Sequence, residues 1–407
     1  MLLPKTNGKT ASTATLTLAV LLSLVDQTSC AVEVTINPIG TSATCSPNFL
    51  SVALSSRSIE KRRFDKRSEK LQNMAAALAP TTLRIGGSMA NHLTFDPDSQ
   101  DSAAPPFLVK WKPFTLTGAQ WAEMGEFVQK VGWDILFDLN QFLRRDTGQW
   151  DPSNAEEFLK FSSEHGVRLS GFQIGNEVSS YPYKYNGTRT VSPRQMIQDI
   201  AAVRRLLLEF PEFSSAAVYG PDIISMGGHP SSRNYMRNFL QAGGGEVVDM
   251  ACWHHYYCDA KKATVEDFYD ADLLDSMKTE LDTASGLIRN FSPGLPLVLT
   301  ETSSCYGGGA RHLSDRYVAG FMWLDKLGLC AQYNVSTLHR QAFYGGESYN
   351  LIGYDRVSRD MFPNPDFFLS VLFKRLVLGP VLSASSVPES RQLRYDRWTN
   401  NFMYKCV

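Results

Sequence analysis

Between residues 48 and 378 the chain repeats one pattern: a short apolar run, a break, then a stretch with helical spacing. The apolar runs fall at 48–55 (NFLSVALS), 82–87 (TLRIGG), 134–140 (DILFDLN), 171–177 (GFQIGNE), 216–222 (AAVYGPD), 247–257 (VVDMACWHHYY), 295–301 (LPLVLTE) and 335–342 (VSTLHRQA). Runs this short and this apolar fit strands buried on both faces. Eight of them alternating with helices predict an α/β chain built as a (β/α)8 TIM barrel. A doubly wound open sheet is the competing fold. It would carry a glycine-rich phosphate turn after its first strand, and none follows residue 55. Gly307-Gly308-Gly309 comes after the seventh run and lacks that spacing.

Helix signals fill the gaps. Helical spacing resumes near Gln120, and Ser153 with Glu156 predicts a capping box for a helix turning Ala155, Phe158 and Leu159 inward. Ser192-Pro193 caps and starts a helix with Met196, Ile197, Ile200, Val203 and Leu207 on one side. Further helices are expected near 233–242, 275–289 and from Asn364-Pro365 to about 378. The charged stretch 57–70 predicts a solvated helix face with i,i+4 pairs, and a polyanion contact is its other reading.

The flanks read differently. Lys5 and Lys9 precede the apolar run 14–25, and Thr28 and Cys30 are small residues spaced for cleavage before Ala31. Residues 1–30 therefore predict a secretory signal, too short for a membrane span. No later run is long enough to span, so no stable membrane insertion is expected. Residues 31–47 contribute a strand (VEVTI, 32–36), the barrel occupies 48–378, and 379–407 turns β-like. Secretion permits disulfides, although the pairing of Cys45, Cys252, Cys258, Cys305, Cys330 and Cys406 cannot be read from spacing. Sequons at Asn186, Asn290 and Asn334 suit a secreted glycoprotein. The net charge of −1 argues against a general polyanion binder, nucleic acid included. Cys252 and Cys258 flank His254 and His255 without zinc-ligand spacing, so no metal or other cofactor is expected.

Two strand ends deliver glutamates, Glu177 after Asn176 and Glu301 after Thr300. Paired carboxylates at the C-terminal face of a barrel are the equipment for glycoside hydrolysis. Glu177 is the candidate acid/base, with a pKa expected to be raised by burial and a neighbouring carboxylate. Asn176 is placed to hydrogen-bond a sugar hydroxyl. Glu301 is the candidate nucleophile, kept ionised by donors among Tyr256, His254, His255 and Arg340. One of the two histidines is expected to be structural, and Arg340 has an internal ion pair as its alternative role. Gly307 and Gly308, like Gly86-Gly87-Ser88, offer backbone N–H groups to a substrate carboxylate, or simply make turns.

FDLN (137–140), GNE (175–177), YGPD (219–222), WHHYY (253–257), ETSSCYGGG (301–309), AGFMWLDKLGL (319–329) and HRQAFYGG (339–346) together resemble the heparanase-type endo-β-glucuronidases of glycoside hydrolase family 79. The resemblance implies a retaining, metal-free hydrolase acting on internal glucuronides of heparan sulfate, secreted or lysosomal. It implies acid/base Glu177 and nucleophile Glu301, with Asn176, Tyr256, Gly307, Gly308, Ser88 and Tyr349 touching substrate, and Lys261 and Lys262 partly replacing a basic contact. The family's excised linker after the second strand is missing here. Ser55 stands where the family has an aspartate, and Glu347 where it has a glycine. The basic cluster after YGPD is thin (Ser231, Ser232, Arg233). These departures keep a related glycosaminoglycan, hyaluronan, as an alternative substrate. The resemblance also implies a C-terminal β-sandwich, cut short at Val407 and leaving Cys406 without its partner. That truncation keeps a non-catalytic glycan-binding relative as the third reading.

Overall fold

The computed structural model describes residues 18–19, 33–59, 64–100, 111–345, 347–355, 357–377, 379–387, 393–398 and 401–406. Eight parallel strands close into a barrel. They are β1 (Leu50–Ser55), β2 (Thr81–Gly86), β3 (Trp133–Leu139), β4 (Leu169–Ile174), β5 (Ala217–Ile223), β6 (Met250–His255), β7 (Leu297–Thr302) and β8 (Thr337–Gln341). β8 pairs with β1 through Leu338–Leu50 and Arg340–Val52, which completes the ring. β2 and β7 are buried at every position, as strands covered on both faces must be.

The surrounding helices are α1 (Glu69–Ala76), α2 (Gly118–Val131), α3 (Ser153–Glu164), α4 (Pro193–Leu207), α5 (Pro230–Gln241), α6 (Ala271–Phe291), α7 (Ala319–Gln332) and α8 (Pro365–Leu376). Their inward faces lock onto the wall through aromatic rings. Phe158 of α3 stacks on Phe137 of β3 at 4.3 Å and meets Trp121 of α2 at 4.8 Å. Removing a ring from such a site typically costs about 3–5 kcal/mol. Ser192 caps α4 by accepting from the Gln195 N–H at 3.1 Å, with Pro193 in the first turn.

Two local expectations change. Ser153 is the first residue of α3 rather than its cap; the Asp151 carboxylate accepts from the Ser153 N–H at 3.1 Å and its hydroxyl at 2.7 Å. The reciprocal capping box occurs instead on α2, between Thr117 and Gln120. Among its described residues, the charged stretch shows no α-helix before Glu69, and Lys66, Arg67 and Lys70 pair with other segments instead of forming i,i+4 pairs. Lys66 is buried and bonded to Glu123 at 2.9 Å, Arg67 shares Glu123 at 3.1 Å, and Lys70 reaches Asp360 at 2.7 Å. Lys61, Arg62 and Arg63 lie outside the described residues.

Beside the barrel sits one antiparallel sheet ordered Leu18–Ala19, Glu33–Cys45, Gly379–Val387, Leu393–Trp398 and Asn401–Cys406. The N-terminal strand pairs with the C-terminal segment through Glu33–Cys45 and Gly379–Val387. A second sheet facing it, which a sandwich requires, is not found among the described residues. Apart from Leu18–Ala19, the expected leader 1–30 falls outside them. No described helix is long and apolar enough to cross a membrane.

Candidate active site

The chemistry-bearing side chains gather where the strands end. β7 delivers Glu301 at its penultimate position. Its Oε1 accepts from the Tyr256 hydroxyl at 2.7 Å and its Oε2 from Arg84 Nη1 at 2.9 Å. Arg84, absent from the sequence-based candidates, is the hub beneath the site. This fully buried guanidinium also donates to Asn176 Oδ1 at 2.8 Å, Asp222 Oδ2 at 3.1 Å and Gln173 Oε1 at 3.1 Å. Gly86 makes room for it, since a Cβ there would stand 2.7 Å from the guanidinium carbon. The sequence signal was a lone charge inside an apolar strand, which can only be buried if paired.

β4 ends at Ile174, and a left-handed turn carries Glu177 beyond it. Gly175 (φ +80) is required there because a Cβ would meet the Tyr181 hydroxyl at 2.6 Å. Glu177 itself has φ 58 and ψ 49, a strained choice for a non-glycine residue. The Ser180 hydroxyl (2.7 Å) and N–H (2.8 Å) donate to its carbonyl and hold the turn. The carboxylate of Glu177 accepts from His254 Nδ1 at 3.0 Å and forms an ion pair with Lys184, which lies at the end of the short helix Tyr181–Lys184.

These contacts overturn the expected raised pKa of Glu177. Burial pushes it up, but the Lys184 ammonium and the His254 ring outweigh burial and hold the carboxyl well below its usual range. His254 is the complementary case. Burial opposes its charge, yet Asp222, Glu301 and Glu177 raise it to about 10. It is therefore an imidazolium donating on both sides, with Nε2 to Asp222 Oδ1 at 3.1 Å. Asp222 is held ionised, below the usual range, by His254 and Arg84 against the effect of burial. His255 is the structural histidine: burial, with Lys326 nearby, keeps it neutral.

One carboxylate oxygen of Glu177, one of Glu301 and a ring nitrogen of His254 lie within 4.8 Å of one another. That triangle has the dimensions of a cation site but not its donor chemistry. A protonated imidazole has no lone pair to offer, and Arg84 already neutralises Glu301. The residues do not fit a metal.

The remaining candidates divide. Tyr256 stacks on Tyr349 with ring centroids 6.2 Å apart, forming one wall next to Glu301. Gly307, Gly308 and Gly309 are all left-handed (φ +85, +100 and +80), and Gly309 packs so closely on Tyr349 that a Cβ would lie 2.7 Å from its nitrogen. Ser88 accepts from Lys184 Nζ at 3.2 Å, which places it beside Glu177. Glu347 lies over the glycine turn, with its Cγ 3.7 Å from where a Gly308 Cβ would be. Ser55 Oγ is 3.9 Å from the corresponding point on Gly87.

Arg340 takes its alternative role, the internal ion pair, and not that of a donor to Glu301 or substrate. It is buried and spent on Asp366 Oδ2 (2.7 Å), the Ser303 hydroxyl (2.5 Å) and the Tyr349 carbonyl (2.9 Å), so it positions Tyr349 and does not face the cleft. Lys261 and Lys262 are exposed on the turn after β6, near the Gly307 loop. Asn186, Asn290 and Asn334 are all exposed.

A closed parallel barrel presenting two glutamates across a polar cleft at its strand ends is the architecture of a glycoside hydrolase. The sequence matches the family model described as Glycosyl hydrolase family 79, N-terminal domain, over residues 53–328, and the chain belongs to that family. It is 34% identical over 389 residues to a heparanase from Gallus gallus, covering 86% of this chain and 72% of that one. It is 29% identical over 407 residues to a hyaluronoglucuronidase from Hirudo nipponia, covering 90% and 78%. Among solved structures, a 4-O-α-L-rhamnosyl-β-D-glucuronidase from Fusarium oxysporum shares the fold, with a TM-score of 0.64 at 15% identity and coverage of 85% and 73%. The chain is a glycoside hydrolase, and its substrate is a glycan.

Proposed function

We propose that this enzyme is a secreted, retaining endo-β-glucuronidase that cuts internal glucuronide linkages of heparan sulfate. The observation that carries the reading is that one carboxylate oxygen of Glu177 comes within 4.8 Å of one of Glu301, so the two groups flank the same point in the cleft. Retaining pairs stand about 5–5.5 Å apart, too close for a water to attack between them. Relatives named for heparanase and hyaluronoglucuronidase activity support the glucuronide. The basic leader and exposed sequons support export.

In this mechanism Glu301 attacks the anomeric carbon while Glu177 gives a proton to the leaving oxygen; Glu177 then takes a proton from the water that releases the glycosyl-enzyme. Arg84 and Tyr256 donate to the two oxygens of Glu301 and hold it aimed. Asn176, oriented by Arg84, meets the sugar 2-hydroxyl. The left-handed glycines and Tyr349 receive the uronate. Lys184 has two partners to choose between: an anionic group on the polymer draws it off Glu177, whose pKa then rises so that it can carry the proton.

Glu347 favours a second polymer. Its carboxylate chain lies along the Gly308 turn, where it repels heavily sulfated saccharides more than it repels hyaluronan. Digestion of size-defined heparan sulfate and hyaluronan, with product sizing and NMR of the first-formed anomer, tests both readings. Mid-size heparan sulfate fragments with the β-anomer formed first are expected. Hyaluronan cleavage alone selects the second polymer; α-anomer first, or no cleavage of either, rejects the mechanism.

A further inference from the structure

The loops that follow β6 and β7 carry two thiols that the hydrolytic chemistry leaves unused. Cys258 and Cys305 stand directly opposite each other in the parallel ladder between Cys258–Asp259 and Cys305–Tyr306. That ladder is extended by the Tyr257 N–H donating to the Ser304 carbonyl at 2.8 Å and the Ala260 N–H donating to the Tyr306 carbonyl at 3.1 Å. Paired strands run about 4.8 Å apart, inside the backbone separation a disulfide spans. The two Sγ atoms are 2.7 Å apart, and both are thiols in this structure. Two residues before Cys258 is Tyr256, the donor to Glu301; two residues after Cys305 begins the Gly307–Gly308 turn.

We propose that Cys258 and Cys305 form a disulfide that staples the β6 loop to the β7 loop and fixes the Tyr256 hydroxyl relative to the Gly307–Gly308 turn. The oxidant is a small or protein disulfide, reacting by thiol–disulfide exchange. Cys258, the half-exposed sulfur that an oxidant reaches first, passes its shared proton to Cys305, attacks the donor as its thiolate, forms a mixed disulfide and expels one donor thiolate. Cys305 then attacks Cys258 Sγ, closes the intramolecular bond and expels the second donor thiolate. Two electrons pass to the donor, and the two cysteine protons end on its two thiols. Cys305 suits the resolving step: the hydrogen bond from Cys258, with further donors at the Ala310 N–H, Ser304 and Ser314, holds its thiol below the ordinary range. The same shared proton pushes Cys258 up.

The test uses the full chain equilibrated with excess oxidised glutathione, then alkylated in denaturant and digested without reduction. A peptide linking Cys258 to Cys305, lost on reduction, is expected. Both cysteines recovered as alkylated or separately glutathionylated residues would overturn the cross-link. This mapping needs no turnover, so its failure is distinct from failure of the glycosidase reading. Comparing oxidised and reduced enzyme, KM should rise about fivefold on reduction, the cost of ordering one loop side chain on binding. Cys258→Ser and Cys305→Ala should each show the reduced enzyme's KM and no response to glutathione. A linked peptide with equal KM in both redox forms would overturn the positioning role.

Discussion

The ends of β4 and β7 each present a glutamate to one cleft, yet they hold it in different ways. At β7, Glu301 is fixed by two donors rooted in the wall, the buried Arg84 and the Tyr256 hydroxyl braced on Tyr349. Arg84 is itself committed to Asp222 and Asn176, so moving it would strand several buried charges at once. At β4, Glu177 sits past the strand on a strained left-handed residue, and its main counter-charge is a lysine on a four-residue helix. That lysine is 21% exposed, whereas the Arg84 side chain is 1% exposed. A nucleophile must keep its charge and its aim; an acid/base must change its charge twice per turnover. The rigid anchorage is found at Glu301 and the exchangeable one at Glu177.

Substitutions can break this contrast. The largest effect is expected for Glu301→Gln, a loss of about 10⁴-fold or more in kcat with ligand affinity nearly kept, read by single-turnover kinetics and calorimetry. A variant still cleaving at the parent rate contradicts the assignment. Glu177→Gln is expected to lose about 10²–10⁴-fold on the polymer. It should recover most of that loss on an aryl glucuronide whose leaving group needs no proton, a rescue that Glu301→Gln must not show.

Lys184→Met sharpens the comparison through pH. Lys184 stabilises the Glu177 carboxylate and depresses its pKa; without it the acid stays protonated to higher pH. The basic limb of kcat/KM should therefore move up by about 1–3 pH units. An unmoved limb would mean that the ion pair does not govern the acid. The smallest effect is expected for Glu347→Gln, a drop of about threefold in KM for sulfated oligosaccharides, weakening as salt is added.

The same contrast explains what was legible in the chain. Eight apolar runs at regular spacing announce a barrel because period and length suffice for that. The two glutamates stood out because each terminates such a run, and WHHYY and the three glycines lie at neighbouring strand ends. Arg84, Asp222 and Lys184 did not stand out as site residues, since their roles come from partners in other segments. Arg84 meets Asp222 from 138 residues away, and strand periodicity alone does not reveal which inward positions share a layer. Lys184 is only seven residues from Glu177, but the short helix that folds it back is set by Ser180 gripping the Glu177 carbonyl. The raised pKa expected for Glu177 failed for the same reason: burial was legible and the lysine was not. Arg340 stayed open between two roles because an arginine at a strand end looks alike whether it faces the cleft or, as here, Asp366 behind the wall.

The most direct test is to trap the covalent intermediate. A glucuronide bearing fluorine at C2 and an activated leaving group slows both steps, and it slows release of the glycosyl-enzyme most. After incubation and peptic digestion, mass spectrometry should find one uronosyl adduct per chain, on Glu301 in the peptide containing 297–302. An adduct on Glu177 or any other side chain, or turnover of the unfluorinated glucuronide with no trappable ester, would contradict the division of roles between the two glutamates.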